Sequence, residues 1–84
     1  MRHARPEALD TLAPLLSELG RLPGLKEKGR GVFYLRSRAF LHFHEDSAGL
    51  FADLRLADEF ERLRVTTGRE QRQLLRLVRE HLGT

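Results

Sequence analysis

Two histidines separated by one phenylalanine, His42 and His44, stand in the stretch RAFLHFHEDSAGLFADLRL (38–56). Imidazoles at positions i and i+2 of a β-strand share a face and can converge on one metal ion. Asp53, on what reads as the next strand, could supply a third ligand, so His42, His44 and Asp53 form a candidate metal set. One His-x-His is a short pattern, however, and polar histidines within or beside a contact surface are the simpler reading. Asp53 holding His42 would also make an oriented base. Yet no serine carries a nucleophile signature and cysteine is absent. A chain of 84 residues also leaves little room for a substrate cleft within one copy. Enzyme is therefore the lesser reading, and no cofactor is implied.

A second set of residues could meet phosphates. Arg69, Arg72, Arg76 and Arg79 fall on one stripe of a C-terminal helix, nearly opposite Leu74, Leu75 and Val78. Such a stripe can follow a nucleic-acid backbone. Glu70, Gln73 and Glu80 flank it, and a solvated charged face accounts for the pattern as well. The formal net charge is +3, and all but Lys26 and Lys28 of the 15 basic residues are arginine, with 12 acids interspersed. That balance permits nucleic acid as a partner without favouring it. The glycine-rich LPGLKEKGRG lacks the spacing of a phosphate-cradling loop and reads as a solvated connector.

The elements that must position these residues follow from spacing. Leu9, Leu12, Leu15, Leu16 and Leu19 recur at helical intervals. Pro6 suits a first helical position, whereas Pro14 requires either a kink or a helix that starts near Asp10. VFYLR (32–36), AFLHFHE (39–45) and LFADLRL (50–56) read as three strands of an antiparallel meander joined by tight turns. ADEFERLRV (57–65) reads as one helical turn from Asp58 to Leu63 and then a short extended piece. Thr67-Gly-Arg-Glu70 has the form of a capping box that opens a helix running to about Leu82. The expectation is one α+β domain over residues 1–84: a helix, a three-stranded antiparallel meander, a short helical turn and a C-terminal helix. Both long helices are expected on one sheet face.

Strand parity then assigns faces. Leu50, Ala52, Leu54 and Leu56 point one way, and Phe51, Asp53 and Arg55 the other. With Asp46–Ser47 at the centre of the turn, Phe43 pairs with Leu50 and Leu41 with Ala52, which puts Ala39, Leu41 and Phe43 toward the helices. Arg38, Phe40, His42 and His44 fall on the outer face, and the first hairpin is expected to add Phe33 and Leu35. Phe33, Phe40 and Phe51 beside His42 and His44 would make an apolar patch, and such patches mark contact with something. A second copy of the chain is the simplest occupant. The leading expectation is a small interaction module, homodimeric through that face.

Cysteine is absent, no apolar run approaches the roughly 20 residues of a membrane span, and MRHARPEALD has no apolar stretch of the secretory kind. A cytoplasmic protein without a membrane partner is expected.

Leu22-Pro23-Gly24, Phe33, Arg38, His42-Phe43-His44, Asp46 and Gly49-Leu50 together resemble the pattern of a group of small bacterial proteins labelled luciferase-domain-like. Members of that group are mostly without an assigned function. They also carry a further segment with histidine and tryptophan, whereas this chain has no tryptophan. The LPG-type turn ahead of a hairpin is similar, more loosely, to the MmcQ/YjbR (double-wing) proteins, which would imply DNA binding.

Overall fold

The computed structural model describes residues 2–84. Its elements in chain order are β1 (Arg2–His3), α1 (Pro6–Thr11), α2 (Ala13–Gly20), β2 (Leu25–Gly29), β3 (Val32–Leu35), β4 (Arg38–Asp46), β5 (Gly49–Leu54), β6 (Glu61–Arg64) and α3 (Gly68–Leu82). The fold is α+β, with helices against an antiparallel sheet of order β2-β3-β4-β5-β6. The short β1 pairs with β4 beyond the end of β3, His3 opposite His44 and Arg2 opposite Glu45. No helix among the described residues is long and apolar enough to cross a membrane.

Four elements differ from the sequence expectation. The meander has two further strands at its edges and one at the N-terminus. LKEKG is an edge strand whose last four residues are all exposed, and its charges protect an unpaired edge from further pairing. ERLR is a strand instead of a helical turn, because Leu63 can reach the core only if Arg62 and Arg64 point away. The first helix is two. The chain breaks at Leu12 (φ −87°, ψ 1°), and α2 restarts with Pro14 in its first turn, where a missing N–H costs no hydrogen bond.

The capping box of α3 is complete. Thr67 Oγ1 accepts from the Glu70 amide at 3.1 Å, and Glu70 Oε1 accepts from the Thr67 amide at 2.9 Å. Gly83 closes the helix in the left-handed conformation (φ 79°). Leu12, Leu16 and Leu19 from the N-terminal helices and Leu74 and Val78 from α3 pack with Leu41, Phe43, Ala52 and Leu54 of the sheet. This is the single face both helical layers cover.

The β4–β5 register is displaced from the expected one. The turn centres on Ser47–Ala48 instead of Asp46–Ser47, so Phe43 pairs with Ala52 and Leu41 with Leu54. Asp46 Oδ1 fixes the turn by accepting from the Ala48 amide at 2.7 Å. A slip of two residues preserves parity, so Leu41, Phe43, Ala52 and Leu54 still face the helices, as expected.

Phe33 and Phe40, expected on the outer face, both lie in the core (0% and 3% exposed). Phe33 pairs with Leu41 and shares its inward face. The next step on β3 takes Tyr34 to Ala39, which leaves Phe40 as an extra residue without a β3 partner. A bulge of this kind breaks the alternation locally. It turns Phe40 inward beside Leu41, where its ring stacks on His81 of α3 at 5.6 Å.

Candidate metal centre on the outer sheet face

The outer face is a small lattice set by pairing. One row across the strands reads His3, His44, Phe51, Arg64, and the next reads Val32, His42, Asp53, Arg62. Each row alternates with an inward row, so the side chains of these two rows rise together from one surface.

Three imidazoles meet there. Ring nitrogens of His3, His42 and His44 all lie within 4.8 Å of one another. His42 Nδ1 and His44 Nε2 are 2.9 Å apart, and the His3 ring stacks on that of His44 with centroids 4.7 Å apart. A zinc ion bound at about 2.0–2.1 Å in tetrahedral geometry sets its ligand nitrogens roughly 3.3 Å apart. The His42–His44 pair is already near that spacing. The widest remaining gap, about 1.5 Å, is within reach of a turn of the His3 ring, since His3 is exposed.

Asp53 stands behind this group. Its Oδ2 lies 3.1 Å from His44 Nε2, and only 12% of the His44 side chain and 11% of the Asp53 side chain reach solvent. Arg62 grips the same carboxylate with two parallel bonds, Nε to Oδ1 at 2.8 Å and an NH2 group to Oδ2 at 2.9 Å. That fork holds the Asp53 carboxyl below the usual range. An ionised carboxylate next to His44 Nε2 favours the tautomer with a proton on that nitrogen. His42 Nδ1 then faces it with a lone pair.

Burial lowers the pKa of both His42 and His44; the proximity of His44 lowers that of His42 further, and Asp53 partly opposes the shift in each. The pair is thereby held in the neutral form that binds metal. Phe60 closes one side with its ring edge-on to His42 at 4.9 Å, and the Arg55 guanidinium lies 4.5 Å from the centre of the same ring.

Of the residues singled out in the sequence, His42, His44 and Asp53 come together as expected, although Arg62 already occupies the carboxylate. Phe51 stays on the outer face, half-buried, whereas Phe33 and Phe40 do not. Arg69, Arg72, Arg76 and Arg79 are all exposed along α3, the first three around a shallow recess with Gln73. Sequence reasoning missed His3, Phe60 and Arg62. His3 sits in MRHARPEA with no periodic neighbour, and only its pairing with a strand some forty residues on reveals it. Arg62 was legible in part, since the alternation of Arg62, Leu63, Arg64 and Val65 is a strand pattern.

Compared with protein-family models, curated proteins and solved structures, the chain matches none, so neither resemblance noted in the sequence gains support there.

Proposed function

We propose that this domain binds a divalent transition metal ion through His3, His42 and His44. The observation that carries the reading is the convergence of three imidazole nitrogens within 4.8 Å on one sheet face. Imidazole donors suit zinc, copper(II) and nickel(II) and discriminate against magnesium and calcium, which take oxygen ligands. Asp53 Oδ2 faces the same His44 nitrogen, Nε2, that points into the group, so metal binding requires the His44 proton to move to Nδ1. Protons compete with the metal for the imidazole nitrogens, so affinity falls where low pH protonates the rings.

The test is metal content after dialysis of untagged protein against zinc, with nickel and copper as alternates. One ion per chain is expected. His42→Ala and His44→Ala should abolish retention. Retention unaffected by either histidine substitution contradicts the reading.

Self-association through the same face is a second reading, favoured by one observation. Phe60 is the large apolar side chain most open to solvent among the described residues (38% exposed), and its ring lies edge-on to His42. Sedimentation with and without zinc separates the two: a dimer present without metal supports a contact surface, and a monomer in both states removes it.

A further inference from the structure

We propose that the recess at the β3–β4 turn is a binding site for a small phosphomonoester, held by Arg36, Arg38 and Arg55. The recess has a volume of about 180 Å³ and opens between that turn, the exit of β5 and the last turn of α3. Three arginines and His81 line it, and no carboxylate does. Arg36 and Arg38 make no ion pair among the described residues, whereas Arg21, Arg30, Arg62 and Arg64 each have an acidic partner.

Two features mark this as a built site and not a scatter of surface charge. The first is backbone strain. Arg36 (φ 54°) and Ser37 (φ 69°) are both left-handed, and no other described residue except glycine is. A two-residue turn of this type is ordinarily filled by Asn-Gly or Gly-Gly, because a side chain with a Cβ is strained there. Arginine is a poor turn former at such a position, and it sets the guanidinium over the recess. Strain of this kind persists where function uses it.

The second feature is Arg55. Its Nε and an NH2 group both donate to the Ala39 carbonyl, and its guanidinium packs on Phe60. One arm of the fork is left for a ligand, already oriented, so little side-chain freedom is lost on binding. Planar forks match the oxygens of a phosphate in pairs. Leu35, Leu56 and the buried Phe40 give the same recess an apolar wall, which selects a phosphate that carries an organic body over inorganic phosphate.

The test uses protein treated with chelator, so that no anion is held by a metal on the neighbouring face. Phenyl phosphate, inorganic phosphate and benzoate are titrated and followed by amide and arginine side-chain NMR. Saturable shifts at residues 36–38 and at the Arg55 Nε–H are expected, tightest for phenyl phosphate. Arg36→Asn and Arg38→Gln should each weaken binding about tenfold, or about 1.4 kcal/mol. Asparagine tolerates the left-handed conformation, so Arg36→Asn should lose affinity while melting no lower than the parent. No saturable shift at millimolar phenyl phosphate overturns the proposal, as do shifts that survive both substitutions. Oligothymidylate binding that phenyl phosphate cannot displace also overturns it, and makes these arginines part of a nucleic-acid surface.

Discussion

At the scale of single residues, a carboxylate 3.1 Å from an imidazole nitrogen draws a proton onto that nitrogen, and here the nitrogen also lies 2.9 Å from a second imidazole. Both rings nevertheless resist a second proton, chiefly because they are taken out of water. The consequence for stability has a definite sign. As pH falls through the ordinary histidine value of about 6.5, the unfolded chain takes up protons that folded His42 and His44 refuse. Stability therefore drops over that window and levels off once the folded rings also protonate. Asp53 acts in the same direction further down, since its lowered pKa gives stability that is present above the usual aspartate range and lost on deeper acidification. The titratable and charged groups that face the two rings are His3, Asp53 and Arg62. Thermal melts between about pH 5 and 7.5 should show the melting temperature rising with pH, and His42→Gln should flatten that slope. A melting temperature that stays level across the window would mean the rings titrate as if exposed.

At the scale of elements, simple alternation was enough to place His42, His44, Asp53 and the inward row Leu41, Phe43, Ala52 and Leu54. It survived even an error of two residues in the β4–β5 turn, because parity repeats every two residues. It failed at Phe40, since a bulge depends on how β3 pairs with β4 and leaves no mark within β4 itself. Pro14 signalled the break in the first helix, but only packing decided that the restart falls at Ala13. The strand at Glu61–Arg64 was obscured by acids and arginines that also suit a helix. It forms because β5 offers an edge that Leu63 can cover from the core side. These assignments have unequal energetic consequences. Phe40→Ala should cost about 3–5 kcal/mol, the range for a fully buried phenylalanine. Phe51→Ala, on the outer face, should cost about 1 kcal/mol or less. Urea denaturation of both variants checks this, and equal losses would place Phe40 on the outer face after all.

At the scale of the whole molecule, the metal site ties the N-terminal strand to the centre of the sheet. β1 is only two residues long, and beyond its ladder it is held by the Ala4 amide on the Phe43 carbonyl and the Arg5 amide on Glu45. An ion shared by His3, His42 and His44 would fasten that strand. A ligand that binds only the folded state at a hundred times its dissociation constant stabilises by about 2.7 kcal/mol. For a domain of this size that is roughly 10–20 °C in melting temperature. His3→Ala should leave the metal-free melting temperature nearly unchanged, because His3 is exposed, while removing most of the gain from zinc. The most direct test of the central claim is a zinc titration followed by long-range proton–nitrogen NMR of the imidazole rings. His42 Nδ1, His44 Nε2 and one nitrogen of His3 should shift together and saturate at one equivalent, while His81, exposed on α3 and outside the three-ring group, stays where it was. Zinc-dependent shifts confined to His81, or none at all, would contradict the account.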